Sequence, residues 1–141
     1  MADIKHYLII RAPMETVYRA VTEQAGLAGW WTEETIAEPV VGSISEFKFG
    51  DRYHNRMKIT HLVPDRRVEW VCLEGDKEWV GTTFSFDLQR DGDNTVVRFG
   101  HNEWREVTDF FASCNFNWGC YMISLTKYCE TGQGEPFKRQ S

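Results

Sequence analysis

Residues 107–131, VTDFFASCNFNWGCYMISLTKYCET, decide the fold of this chain. Large apolar residues recur there every three or four positions, the spacing that places side chains on one stripe of an α-helix. The stripe consists of Val107, Phe111, Cys114, Trp118, Met122, Leu125 and Cys129. Gly132 follows and is expected to end the helix. At about 1.5 Å per residue the helix is about 37 Å long, and in a chain of this size only a sheet offers an apolar surface to match it.

The rest of the chain predicts that sheet. Between residues 41 and 101, apolar and polar residues alternate in segments that are separated by short turns. Residues 5–10 predict a further strand, which precedes two short helices ending near residues 21 and 27. Consecutive strands joined by short turns pair antiparallel. We therefore predict a single α+β domain over residues 1–141, with a curved antiparallel sheet of about six strands and a loose tail over residues 132–141.

The composition favours a soluble, cytoplasmic protein and argues against several classes of partner. A net charge of −5 is unfavourable for binding nucleic acid or an anionic membrane surface. Neither a signal peptide nor a membrane-spanning segment is expected from the sequence. The four cysteines form no C-x-x-C pair, so we expect reduced thiols and no zinc site. The aromatic share of 14% is high and suggests an aromatic-lined interior.

Several segments, taken together, are similar to those of a known family. They are APMETVYRAVT at 12–22, Gly26-Leu27, WWT at 30–32, VPDRRV at 63–68, TVVRFGH at 95–101, and Trp118, Leu125, Tyr128 and ETG at the end of the last helix. This combination resembles the START-like superfamily with its helix-grip fold. Within it, the chain is similar to the group related to the C-terminal domain of the heat shock protein 90 ATPase activator. The activator also has an N-terminal domain that binds the chaperone, and 141 residues leave no room for one, which argues against a chaperone partner.

A twisted sheet and a straight helix do not match along their whole length, so a space often remains between them. We predict an internal cavity there that binds a small apolar or aromatic molecule, lipid-like or polyketide-like. The predicted lining residues are Trp30, Trp31, Phe47, Phe49, Met57, Ile59, His61, Trp70, Phe84, Phe86, Phe99, His101, Phe111, Asn115, Trp118 and Met122. The strand phase of Met57, Ile59 and His61 depends on the register, because a one-residue slip would turn their neighbours inward instead.

The adjacent tryptophans, Trp30 and Trp31, are a separate case. Neighbouring residues at a helix end point in different directions, so one indole is expected to pack into the core while the other covers the opening of the cavity. The alternative is that both are ordinary packing residues.

A catalytic interpretation depends on few residues. His61 and His101, both predicted to point inward, suit acid–base chemistry near neutral pH, or they are buried groups hydrogen-bonded to backbone or water. No hydrolase, nucleotide-binding or metalloprotease motif occurs. Glu33, Glu34 and Glu38 offer carboxylates to a metal, but a solvated loop carries such charges by default. We therefore predict non-enzymatic binding, without a catalytic residue, cofactor or metal.

Two alternative functions remain open. One is an enzyme similar to the cyclases and aromatases that use this fold, with His61, His101 and Asn115 as its polar groups. The other is a chaperone-interacting module that regulates an ATPase. The module would need an exposed recognition surface, whereas the enzyme would need polar groups inside the cavity.

A second, smaller apolar patch is predicted on the last helix. Phe116, Cys120 and Ile123 lie four and three positions apart, opposite the main stripe. We predict that this patch packs either against a loop of the same chain or against the same patch of a second copy in a homodimer.

Overall fold

The computed structural model of the chain describes residues 1–139, and residues 140 and 141 lie outside that part. The described elements are β1 (Ala2–Ile10), α1 (Met14–Ala20), α2 (Gln24–Trp30), β2 (Glu34–Ile36), β3 (Ile44–Phe49), β4 (Tyr53–Val63), β5 (Arg67–Glu74), β6 (Thr83–Asp91), β7 (Asn94–Trp104) and α3 (Asp109–Thr131). The strands form one antiparallel sheet in the order β1-β7-β6-β5-β4-β3-β2. The predicted α+β, helix-grip architecture is confirmed, with the sheet curled around α3 and two short helices after β1.

The short strand β2 was not among the predicted strands. It follows the tryptophan pair and adds to β3, with Thr35 opposite Phe47. The hydroxyl of Thr35 donates a hydrogen bond to the carbonyl oxygen of Thr32 at 2.6 Å. Three residues are too few to show an alternating pattern, and Ile36 points to solvent. No local sequence pattern therefore indicates that β2 pairs with β3.

Helix α3 begins two residues later than predicted, because Thr108 caps it. The Thr108 hydroxyl oxygen accepts a hydrogen bond from the backbone N–H of Phe111 at 3.1 Å. Gly132 ends the helix in the left-handed conformation, as predicted, with φ 85°. Val107 lies before the helix and is exposed, so the stripe starts at Phe111; it is buried from Cys114 to Leu125 and half-buried at Cys129. No helix within the described residues is long and apolar enough to cross a membrane.

Aromatic side chains fill most of the space between the sheet and α3. Phe99 and Trp118 have ring centroids 4.5 Å apart, and Phe84 lies 4.0 Å from the ring of His101. The largest fully buried side chains include Trp30, Trp31, Trp70, Trp104, Phe47, Phe84, Phe86 and Phe99. The high aromatic content therefore forms a solid core over most of the helix, and open space remains beside the turn between β3 and β4.

The segment after α3 is not a loose tail as far as residue 139. The backbone N–H of Phe137 donates to the carbonyl oxygen of Trp31 at 2.9 Å, and the Phe137 carbonyl oxygen accepts from Glu33 N at 3.0 Å. Arg139 reaches Glu34 and Asp51, each at 2.9 Å. These bonds dock the segment against the start of β2. The sequence prediction was wrong here because the partners are about a hundred residues away, and its last two positions lie outside the described residues.

Within residues 1–139, no loop of the same chain covers the second apolar patch on α3. Phe116 is 73% exposed and Ile123 is 62% exposed, and Cys120 is exposed beside them. The intramolecular alternative is therefore wrong.

Candidate functional site

The candidate site is a pocket of about 450 Å³ beside the middle of α3. Its inner wall consists of the buried residues Trp31, Asn55, Trp79, Cys114 and Trp118. Its sides are aromatic, with Phe49, Phe110, Tyr121 and Phe137. Its solvent side carries Arg52, Tyr53, Asp76, Ser113 and Asn117. The volume lies in the usual range of ligand pockets, roughly 300–1,000 Å³.

Several separate segments build the pocket. Strand β3 contributes Phe49, β4 contributes Asn55, and the connection between β5 and β6 contributes Asp76 and Trp79. Helix α3 supplies one wall from residues 110–121. The docked C-terminal segment places Phe137 against Phe49, with ring centroids 5.5 Å apart. The pocket therefore lies where the curled sheet diverges from the straight helix.

Of the predicted lining residues, only Trp31, Phe49 and Trp118 border this pocket within the described part of the chain. Most of the others are packed in the core behind it. They are Trp30, Phe47, Met57, Ile59, Trp70, Phe84, Phe86, Phe99, His101 and Met122. Phe111 is half-buried against Trp104, at 5.0 Å between ring centroids. The sequence identified the aromatic interior, but the side chains pack against one another over most of its length.

His61 was predicted to point inward and does not. The register of β4 against β5 shifts between Ile59 and His61, so a bulge turns His61 outward while Met57 and Ile59 keep the predicted phase. The His61 side chain is exposed, and its Nδ1 lies 3.4 Å from Glu69 Oε2. It therefore cannot act inside the pocket.

Asn115 was also placed wrongly. It follows the buried Cys114, and one step along a helix rotates a side chain by about 100°. That rotation carries Asn115 past the edge of the apolar stripe and into solvent.

Neither tryptophan of the pair covers the opening of the pocket. Both are buried and stacked, with ring centroids 6.1 Å apart. The Trp30 indole N–H donates to the carbonyl oxygen of Ala20 at 2.7 Å, which ties α2 to α1. Trp31 forms part of the inner wall instead, and contacts Trp118 at 5.1 Å between centroids.

His101 is held in a buried chain of hydrogen bonds. Its Nδ1 accepts from the Trp118 indole N–H at 3.0 Å, so the ring proton must reside on Nε2. Nε2 donates to the Thr82 hydroxyl at 2.9 Å, and that hydroxyl donates to the carbonyl oxygen of Trp79 at 2.6 Å. Burial lowers the pKa of His101 well below its usual value, so the ring is neutral at pH 7. His101 is therefore a buried, hydrogen-bonded group, as the second interpretation of the sequence expected, but its partners are the side chains of Trp118 and Thr82 rather than backbone or water.

The other groups considered for chemistry are the free thiols and the carboxylates that follow the tryptophan pair. Burial raises the pKa of the Cys114 thiol to about 11, although the Trp79 indole beside it acts in the opposite direction. All four cysteines are free. Glu34, at the start of β2, is paired with Arg139, and Glu33 lies 3.9 Å from Lys138. Among the described residues, no three His, Cys, Asp or Glu side chains come together as a metal site would require.

The sequence analysis did not assign four residues of the pocket to the site, and a sequence pattern points inward for only two of them. Asn55 lies two positions before Met57, so extending the alternation of β4 by one step would have turned it inward. Cys114 belonged to the predicted stripe but was not assigned to the site. Trp79 and Phe137 lie in a turn and in the C-terminal segment, where no periodicity exists. Their positions depend on contacts between distant parts of the chain.

The comparisons with known proteins agree with the fold. The family described as "Activator of Hsp90 ATPase homolog 1-like protein" matches residues 11–130. The solution structure of the Aha1 dimer from Colwellia psychrerythraea shares 38% sequence identity with this chain and superposes with a TM-score of 0.86. The match covers 95% of this chain and 100% of that chain. Among curated proteins, none matches this sequence.

More distant structures share the fold alone. DynU16, a protein of the dynemicin biosynthetic locus, is 21% identical with a TM-score of 0.77, and the match covers 94% of this chain but 48% of DynU16. CalU16 from Micromonospora echinospora is 17% identical with a TM-score of 0.73, and the match covers 94% of this chain and 76% of CalU16.

Proposed function

The chain belongs to the family of activator of Hsp90 ATPase homolog 1-like proteins, and from that membership together with the pocket we propose that it binds a small apolar or aromatic molecule without transforming it. The observation that carries the proposal is the inner wall of the pocket of about 450 Å³, to which Trp31, Trp79 and Trp118 contribute. Flat aromatic walls favour flat apolar ligands through dispersion and offset stacking.

The non-enzymatic part of the proposal is supported by where the polar groups lie. The enzyme alternative relied on His61, His101 and Asn115, of which two face solvent and the third has both ring nitrogens hydrogen-bonded. A general base needs a free nitrogen or carboxylate within reach of its substrate. Turnover of an aromatic polyketide substrate by the purified protein would contradict this part of the proposal.

Filling the pocket from α3 is expected to weaken binding. Ser113 is exposed and borders the pocket, so Ser113→Trp places an indole in the open space without disturbing the core. We expect the affinity for aromatic probes such as 2-naphthol, measured by calorimetry, to fall at least about tenfold because the bulky side chain competes for the same volume. Asn115→Trp, two positions along on the solvent side of the same helix, is the matched control. Equal binding by the wild type and both variants would place any bound probe elsewhere.

The protein is further proposed to form a homodimer through the exposed patch of Phe116, Cys120 and Ile123. The relative from Colwellia psychrerythraea is described as a dimer. The patch forms one apolar strip on a 23-residue helix whose opposite side grips the sheet. A strip of this kind is self-complementary across a two-fold axis, and pairing would remove two large apolar side chains per copy from water.

A charge in the centre of the patch is expected to prevent dimerisation. Phe116→Glu would place a carboxylate opposite the apolar side chains of the second copy, so we expect a shift to monomer in sedimentation velocity. Val41→Glu, at an exposed apolar residue in the connection between β2 and β3, is the control and should leave the mass unchanged. A wild-type protein that stays monomeric at high concentration would contradict the dimer.

The chaperone alternative is separable from both proposals. It requires the protein to change the ATPase rate of an Hsp90-type chaperone, and that change should survive Ser113→Trp because a recognition surface does not depend on the pocket. If the protein stimulated the ATPase and bound none of the aromatic probes, the results would favour the chaperone-interacting module over a ligand-binding protein. The four free cysteines support our further proposal of a reducing, cytoplasmic location.

A further inference from the structure

The solvent side of α3 carries residues at the spacing of a two-stranded coiled coil. Six exposed residues, which we call the seam, follow one another at intervals of four, three, four, three and four positions: Asp109, Ser113, Phe116, Cys120, Ile123 and Lys127. This alternation is the a/d spacing at which one helix packs against another. The seam runs along about 27 Å of the helix. The apolar patch of Phe116, Cys120 and Ile123 is therefore part of a longer surface suited to pairing with a second helix.

The seam is complementary to its own reverse. In an antiparallel pair of helices each a position packs against a d position of the second copy, so a two-fold axis at the level of Trp118 pairs Phe116 with Cys120, Ser113 with Ile123, and Asp109 with Lys127. A parallel pair would instead place each residue opposite itself, with Asp109 facing Asp109 and Lys127 facing Lys127. Like charges that face each other are unfavourable, and so are helix dipoles that point the same way. The order of charges along the seam therefore favours the antiparallel arrangement.

Neighbouring charges of the same chain are compatible with this arrangement. Lys127 Nζ lies 2.7 Å from Glu135 Oε1, and the Lys127 side chain is still 49% exposed. An ammonium group has three donors, so Lys127 can keep this pair and also bind a carboxylate of a second copy. Glu130, three positions beyond Lys127, is turned away from the seam, because its Oε2 accepts a hydrogen bond from the backbone N–H of Arg11 at 2.8 Å. Its carboxylate is therefore engaged with the segment that follows β1 and does not compete with Asp109 for Lys127.

From this arrangement we infer that two copies of the chain pair α3 antiparallel about a two-fold axis at the level of Trp118, with Asp109 of each copy bound to Lys127 of the other. Because the axis repeats every contact, the two ion pairs lie at the two ends of the helix contact and the apolar side chains lie between them. A contact between one pair of helices is small, so the dimer is reversible. The inference rests on the proposed homodimer, since it gives the orientation and the register of that interface.

Charge reversal tests the register by sedimentation velocity on the full chain at low ionic strength. With Asp109→Lys a lysine faces a lysine at each end of the contact, and with Lys127→Asp a carboxylate faces a carboxylate. We expect each single variant to weaken the dimer about tenfold, because two attractive pairs become repulsive. The double variant Asp109→Lys/Lys127→Asp exchanges the two partners and should dimerise as the wild type does. Asp93→Lys, which makes the same change of net charge in the turn between β6 and β7, is the control and should leave the dimer unchanged.

Recovery in the double variant separates the ion pairs from any effect on folding, since it carries both substitutions. If the double variant does not fold, a mixture of the two single variants decides instead, because unlike copies restore both ion pairs and should dimerise more tightly than either variant alone. Single variants that dimerise as tightly as the wild type would overturn the inference while leaving the proposed dimer intact. Weakened single variants that neither the double variant nor the mixture rescues would also overturn it. A wild-type protein that stays monomeric would overturn both the inference and the proposed dimer.

Discussion

Trp118→Ala is expected to lower the free energy of unfolding by about 3–5 kcal/mol, the cost of deleting a large aromatic side chain from a packed core. Trp118 is 2% exposed and contacts Phe99 at 4.5 Å and Trp31 at 5.1 Å between ring centroids. Although one side of the indole borders the pocket, its other contacts are with fully buried rings. The variant also leaves Nδ1 of His101 without the donor that now lies at 3.0 Å.

Denaturant unfolding of two further variants separates these contributions. Trp118→Phe keeps a ring but loses the N–H, so it should cost less than the alanine variant and still leave His101 Nδ1 unpaired. Ile123→Ala, at an exposed position on the same helix, should change stability by less than about 0.5 kcal/mol in a monomeric sample. A loss below about 1 kcal/mol for Trp118→Ala would mean that the core around it is loosely packed, contrary to the ring contacts.

The elements that could be predicted from sequence are those with a long, regular pattern. The apolar stripe of α3 repeats over six turns, so the bounds of the helix were predicted to within two residues. Strand β6 alternates from Thr83 to Leu88, within the stretch where alternating strands were predicted. Strand β2 has three residues, and the segment around Phe137 has no pattern at all. Both are held by bonds to distant parts of the chain, which no local sequence signal encodes.

The site was less predictable because it depends on departures from those patterns. The bulge in β4 reverses the phase after Ile59 and carries His61 outward. Aromatic residues on facing surfaces indicated an interior but did not distinguish a cavity from solid packing, which depends on how individual rings interlock. Asn55 and Trp79 could be assigned to the pocket only once the structure placed both beside the same space.

The buried histidine makes stability depend on pH in a defined direction. Burial lowers the pKa of His101 below its value in the unfolded chain, which is about 6.5. Above that pH the ring is neutral in both states, so His101 does not make the free energy of unfolding depend on pH. As the pH falls below about 6.5, the unfolded chain takes up a proton that the folded protein excludes. The free energy of unfolding should therefore fall by up to about 1.4 kcal/mol per pH unit until the folded pKa is reached.

His101→Gln isolates this contribution. The glutamine amide retains a donor for Thr82 but does not titrate, so the variant should be less stable than wild type at pH 7.5 and less dependent on pH between about 6.5 and 5. Carboxylates such as Glu34, whose pKa is lowered by Arg139, lose their stabilising charge only at lower pH and affect both proteins alike. Guanidinium unfolding at half-unit pH steps measures the difference between the two curves. Parallel curves over this range would contradict this prediction. They would mean that His101 takes up its proton in the folded state as readily as in the unfolded chain, although Nδ1 would then lose the hydrogen bond that it accepts from Trp118.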